Sequence, residues 1–314
     1  LRGGAAFLAA SLLLALPITA APAFAASSSK ASIQRAPEFT PAADTLGPTS
    51  VTPARWARVA PGIEFARVEA VGEPHGGSAG IAVVRLDPGA VRIEPYHETE
   101  YPGADPVTID GWQKRLNAPV VVNAGLYDEA RRHLGRLRRG GVDLGGIPHT
   151  RWKGVLVSGA RADSLPPAAL LDLTQPGDST RMHGYANLLQ SMMLFDARGT
   201  TRVRESDRTA PRTLVAADDR GRIYLVVTEG SYTLAECVDL LRGAGWRLRA
   251  ALALDGGSES NLAVESVAVR YRSYTGAEGE IPSEGLLRAG ARLPAVVAVW
   301  PAARYREDAK GDGS

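Results

Sequence analysis

The chain has 314 residues, with 36 Lys and Arg against 34 Asp and Glu, a net charge of +2 and one cysteine. So even a balance excludes the broad positive field of a nucleic-acid binder, and a lone cysteine excludes an intrachain disulfide. Past residue 30 no run approaches the ~20 apolar residues that a membrane-spanning helix needs.

In chain order, Arg2 precedes an apolar run at 5–16, Pro17 breaks it, and Ala23-Phe24-Ala25 has the small-x-small form of a cleavage site. This predicts a signal peptide over residues 1–25, hence a secreted or periplasmic, cell-envelope protein with no stable membrane span after cleavage. Residues 26–53 are rich in Ser, Pro, Ala and Thr and read as a flexible leader. One domain is expected over 54–304, followed by a charged, Gly-containing tail at 305–314.

Within the domain, 81–86 and 91–96 read as strands separated by the turn Asp87-Pro88-Gly89. A short helix is predicted at 108–116 with Thr108 as its cap, then a brief apolar strand at 120–123 that stops at Ala124-Gly125. Arg131, Arg132, Arg136, Arg138 and Arg139 form a local basic cluster, either a solvated loop face or a rim that attracts an anionic substrate. Further strands are predicted at 153–157 and 189–195, the second leading into a hairpin loop at Asp196-Ala197-Arg198-Gly199.

The clearest unit lies at 222–255. An apolar β-branched strand at 223–228 is followed by Thr233-Leu234-Ala235-Glu236, a capping box. Leu234, Val238 and Leu241 recur at helical spacing, and Gly243 and Gly245 stop the helix. Cys237 falls in this helix and is expected to be a buried, inert thiol. A second apolar strand runs over 250–254, so strand, helix and strand form a crossover whose two strands run parallel. The predicted class is α+β: a mixed β-sheet with few helices and one β-α-β crossover in its C-terminal half.

That crossover sends Glu229 and Asp255 to the same edge of the sheet, where ligands gather in α/β proteins. Were the two strands immediate neighbours, ~4.8 Å apart, the carboxylates would share a cleft; the other reading is that each caps a turn. The five histidines, His75, His97, His133, His149 and His183, lack metal-site spacing. Asp218-Asp219 and Asp255 offer oxygens without a full calcium loop. No catalytic metal or other cofactor is expected, and a structural calcium is left open.

Four motifs occur in order: Val121-Val122-Asn123-Ala124-Gly125-Leu126-Tyr127; Leu189-Gln190-Ser191-Met192-Met193-Leu194; Ala210-Pro211-Arg212-Thr213-Leu214-Val215-Ala216, leading into 219–226; and Ala251-Leu252-Ala253-Leu254-Asp255-Gly256-Gly257-Ser258-Glu259-Ser260. Their set and order resemble the phosphodiester glycosidase family, over roughly 81–299. Three positions depart from the family pattern: Ser258-Glu259 after the second Gly, Met192-Met193 where Gly-Pro is usual, and Glu229 where many relatives have Asp.

The resemblance implies a secreted hydrolase that releases a sugar from a glycosyl phosphodiester of a cell-wall, capsular or exopolysaccharide glycan. Its partner would be that glycan. The alternative is a non-catalytic envelope protein, glycan-binding or structural, on the same fold. Asp255 and Glu229 would be the catalytic pair. Arg212 offers a planar fork for phosphate oxygens, or a strand-edge ion pair. Asn123 and Gln190 offer amides to sugar hydroxyls, or else serve a turn and a buried backbone contact. Gly125, Gly256 and Gly257 would let backbone N–H groups approach the phosphate, with Ser258 beside them.

Overall fold

A computed structural model describes residues 50–102, 107–128, 130, 132–273 and 291–302. The expected signal peptide, most of the leader, Arg131 and the 305–314 tail lie outside the described residues. Ser50–Val51, the end of the expected leader, is already a strand paired with Ala70 and Val71.

Two antiparallel sheets dominate the described residues. The larger runs Ile63–Val71, Gly77–Leu86, Ile223–Gly230, Thr213–Asp218, Leu248–Ala253 and Tyr185–Phe195 from neighbour to neighbour, and Gly154–Ala160 and Leu137–Arg139 continue it from the last strand. The smaller has the order Arg270–Ser273, Leu262–Glu265, Val120–Asn123, Ala295–Pro301 and Val91–His97. The turn at 87–89 therefore carries the chain from one sheet to the other and is not a hairpin.

Alternation along each strand explains the layering. Val120 and Val122 face a core shared with Leu225, Val227, Val215 and Leu252, so the two sheets pack face to face. Val121, Val296 and Ala298 point the other way, onto Ile109 and Trp112 of the helix Ile109–Leu116. On the outer face of the large sheet, Tyr224, Val226 and Leu214 meet Cys237, Val238 and Leu241 of the helix Leu234–Gly243. Helix, sheet, sheet and helix thus stack in four layers. With both faces of the central strands covered, their sequences read as unbroken apolar runs.

Local signals place both helices. The Thr108 hydroxyl accepts from the Gly111 N–H, and Asn117 closes that helix in the left-handed conformation. Thr233 and Glu236 form the reciprocal box, with the Thr233 N–H donating to the Glu236 carboxylate at 2.7 Å and the Glu236 N–H to the Thr233 hydroxyl at 3.1 Å. Cys237 is buried, and burial pushes its thiol up to about 12, so it is a packing residue.

The crossover has the expected direction but a different neighbour. Thr213–Asp218 lies between Ile223–Gly230 and Leu248–Ala253, antiparallel to both. The two strands are parallel but two spacings apart, ~9.6 Å.

Trp112 is fully buried and its indole N–H donates to the Leu293 carbonyl at 2.8 Å. Trp112→Ala is expected to lower stability by ~3–5 kcal/mol. In urea the midpoint should fall with an unchanged slope; an unchanged midpoint would place this helix outside the cooperative unit.

Candidate active site

Three chain segments end side by side. The Thr228 N–H donates to the Arg212 carbonyl at 2.9 Å, the Leu254 N–H to the Thr213 carbonyl at 2.8 Å, and the Gly257 N–H to the Pro211 carbonyl at 2.9 Å. Asn123 fastens this edge to the smaller sheet. It is fully buried; its Nδ2 donates to the Asp255 carbonyl at 3.0 Å, and its Oδ1 accepts from the Thr213 hydroxyl at 2.7 Å and the Asn261 N–H at 3.1 Å. The Ser260 hydroxyl adds a bond to the Pro211 carbonyl at 3.0 Å. The backbone of Asp255 is fixed from two directions, while among the described residues its carboxyl accepts from the adjacent Gly256 N–H alone, at 2.9 Å.

The electrostatics of Asp255 follow from that position. Burial penalises its charged form, the nearby Glu259 carboxylate adds to the penalty, and the Gly256 N–H offsets little, so its pKa is pushed up to about 7. Glu259 arrives by the one-turn 3-10 helix Gly257–Glu259, which turns the chain back towards Asp255. Gly257 has φ +76°, a left-handed conformation that only glycine takes without strain. A Cβ on Gly256 would lie 2.9 Å from the Pro211 carbonyl oxygen and 3.3 Å from Nη1 of Arg212.

Arg212 is the cation of this edge. Its Nε donates to the Tyr232 carbonyl at 2.8 Å and its Nη2 to the Arg208 carbonyl at 2.7 Å. Among the described residues it forms no ion pair, and burial lowers its pKa. The guanidinium is half-buried and held by neutral carbonyls.

Other expectations are corrected. Glu229 does not share a cleft with Asp255 through adjacent strands. Its Oε1 accepts from Arg67 Nε and the Tyr271 hydroxyl, each at 2.8 Å, and its Oε2 from Arg67 Nη2 at 2.7 Å and the Ser78 hydroxyl at 2.6 Å. Burial works against its ionisation, but Arg67, Ser78 and Tyr271 outweigh burial and bring its pKa down to about 2. With four donors on its two oxygens, Glu229 is a clamp joining the two sheets, and Glu259 is the carboxylate that acts on Asp255.

Gln190 is saturated by backbone. Its Oε1 accepts from the Arg136 and His149 N–H groups at 2.9 and 3.3 Å, and its Nε2 donates to the His149 and Trp152 carbonyls at 2.9 and 2.7 Å. It holds the 136–152 segment and has no hydrogen left for a sugar. Asn123 is likewise too buried to reach one. Gly125 owes its identity to packing, since a Cβ there would fall 2.0 Å from Cε1 of His133. Ser258 is exposed and its hydroxyl donates to Glu259 at 2.8 Å.

The basic cluster is largely neutralised: Arg132 pairs with Asp128 at 2.7 Å, Arg138 with Asp143 at 3.0 Å, and Arg139 with Glu100. Asp218 and Asp219 cannot join Asp255 at one cation, because they stand at the opposite end of the Thr213–Asp218 strand. Among the described residues no three metal-ligating side chains cluster, and no helix is long and apolar enough to cross a membrane. From sequence, Glu259 just past the glycine pair reads as either a site residue or part of a helix start; it lies in the 3-10 helix Gly257–Glu259 and acts on Asp255.

Solved structures supply the fold comparison. A hypothetical protein from Synechocystis is similar at 13% identity and a TM-score of 0.57, covering 80% of this chain and 64% of its own, so the chain spans less than two thirds of that relative. The catalytic domain of zebrafish N-acetylglucosamine-1-phosphodiester alpha-N-acetylglucosaminidase, auto-inhibited by its pro-peptide, is similar at 13% identity and a TM-score of 0.52, covering 81% of this chain and 88% of its own. At such identity these likenesses establish the fold alone. No curated protein sequence matches. The sequence profile of the phosphodiester glycosidases matches residues 117–285, a span that holds Asn123, Arg212, Asp255 and Glu259. That span is more than half of the chain, and the chain belongs to the phosphodiester glycosidase family.

Proposed function

We propose that the protein hydrolyses the bond between a sugar's anomeric carbon and a phosphodiester oxygen, at Asp255. The observation that carries this reading is a half-buried carboxyl raised to about 7, next in sequence to Gly256, whose backbone packs against a half-buried arginine that has no acid partner among the described residues. A group that titrates near neutrality is a good proton acceptor at neutral pH. In this mechanism Asp255 takes a proton from a water molecule as the water's oxygen attacks the anomeric carbon. The carbon–oxygen bond to phosphate breaks, and the departing phosphate carries its electron pair as negative charge next to Arg212. Phosphate is a good leaving group and needs little acid assistance, so a second catalytic carboxyl is not required. Glu259 keeps Asp255 basic; Gly256, without a side chain, leaves the space beside Arg212 open. The substrate class is a glycosyl phosphodiester of a cell-wall, capsular or exopolysaccharide glycan, met outside the cytoplasm if residues 1–25 act as a signal peptide.

The test is sugar release from N-acetylglucosamine-1-phosphomethyl diester, with a p-nitrophenyl glycoside as control. Asp255→Asn is expected to lower kcat by ~10²–10⁴, and Arg212→Ala by ~10²–10³ on the diester. For the wild type, kcat/KM should rise with pH through about 7. Glu259→Gln should move that limb to lower pH, because the neighbouring negative charge is gone. A limb that falls through the same region would overturn the base assignment and make Asp255 the acid. Binding without release from any sugar phosphodiester would favour a glycan-binding protein.

The same carboxyl predicts a stability signature. Because the folded-state pKa of Asp255 lies above the unfolded value, the native state holds this proton more tightly. Stability from this group is present below the unfolded value, ~4, and is lost as pH rises to about 7. Across that interval the loss amounts to ~1.4 kcal/mol per pH unit. Asp255→Asn should therefore be more stable than wild type at pH 8, and the difference should vanish near pH 4. Equal urea midpoints for the two proteins across that range would contradict a half-buried, raised carboxyl.

A further inference from the structure

The far end of the Thr213–Asp218 strand carries a cavity of about 320 Å³ that takes no part in the chemistry above. That volume lies at the lower end of the range of small-ligand sites. The register Leu214 to Ala253 and Asp218 to Leu248 sets it at the sheet edge opposite Asp255, ~20 Å away by strand rise.

Two features of its wall point to a ligand. The first is aromatic. Trp56 and Trp246 both line the cavity and are half-buried. Their rings stand edge to face, 6.2 Å apart at 62°; Tyr224 stacks on Trp246 at 5.6 Å, and the Arg85 guanidinium covers Trp56 at 4.0 Å. Indoles fixed in this way are platforms for the apolar face of a sugar ring. The second is charge. Arg85, Arg220, Arg222 and Arg247 line the same cavity, against a single lining acid, Asp219. Arg85, Arg222 and Arg247 pair with Glu64, Asp218 and Asp219. Arg220 is exposed and pairs with no acid among the described residues. Arg247 also has φ +58°, one of two non-glycine residues in the left-handed region among those described. It is pinned there by its carbonyl, which accepts from the Asp219 N–H at 3.2 Å. Outliers of this kind persist only where the surroundings hold them and cluster at binding sites.

We infer that this cavity is a secondary binding site for an anionic sugar residue, with the indoles under the ring and Arg220 and Arg247 on its charged group. Its existence does not depend on the reading of Asp255. If that reading holds, the site would grip one unit of an anionic glycan while another is cleaved at the opposite edge, so the natural substrate would be a polymer.

The experiment is calorimetric titration of the Asp255→Asn protein with glucose 1-phosphate, glucuronic acid and glucose. Glucose 1-phosphate or glucuronic acid should bind, whichever is tighter naming the charged group, and glucose should bind at least ten-fold more weakly. Arg220→Ala, at an exposed position, should weaken the anionic sugar ten-fold or more, and Trp246→Ala should do the same. Neither should change release from the small methyl diester by wild-type Asp255 protein. Titration curves unaltered by Arg220→Ala, or glucose binding as tightly as the anionic sugars, would overturn the proposal. A protein that binds here yet releases no sugar would sink the hydrolase reading alone.

Discussion

The site depends on one buried amide. Asn123 ends a strand of the smaller sheet, yet its donors and acceptors are spent on Asp255, Thr213 and Asn261. Those partners lie on the central edge of the larger sheet and on the turn that follows it. In a core with no water to substitute, an unmet amide or carbonyl costs ~1–3 kcal/mol, so the three bonds hold together or fail together. The apolar contact between the two stacked sheets has no direction of its own. The amide, together with the Glu229 clamp on Tyr271, sets the register between them, and the position of Asp255 with it.

Two carboxylates illustrate how environment divides chemically similar residues. Glu229 is half-buried and receives four hydrogen bonds, which favour its ionised form. Asp255 is similarly withdrawn from water but has one N–H and a like charge for company, so it retains its proton to near neutrality. Desolvation acts on both, and the count of donors decides the outcome. The larger sheet places them on parallel strands, but the antiparallel strand between them gives each its own surroundings.

Much of the fold was legible because its signals are local. Thr233 and Glu236 cap their helix through residues three apart, and the valines at 120–122 announce a buried strand. The crossover direction was legible too, since strand, helix and strand with short joints admit little else. What escaped was pairing. Nothing in 210–218 says that this segment slips between the two crossover strands, because an apolar run fits any neighbour. The same holds for Gln190, whose four backbone partners lie 38 to 54 residues away, and for Glu229, whose arginine stands 162 residues away. Residue type announced chemistry at these positions, and only the long-range contacts decide whether that chemistry is free or already spent. Family resemblance located the motif residues, whereas the structure separated those whose polar atoms are already bonded within the frame from those with few partners among the described residues.

The order of strands in the smaller sheet has a consequence for how the molecule comes to be active. Ala295–Pro301 sits between Val91–His97 and Val120–Asn123, so the last strand among the described residues fills the gap between two that come early in the chain. Its Ala295 carbonyl also receives the Ala124 N–H and the Tyr127 hydroxyl. Contacts separated by some two hundred residues make for slow, late closure. Val296 is the register partner of Asn123, so the backbone on that side of Asn123 is held only once this strand has closed. The frame behind Asp255 is therefore completed by contacts that span some two hundred residues, in a late step of folding.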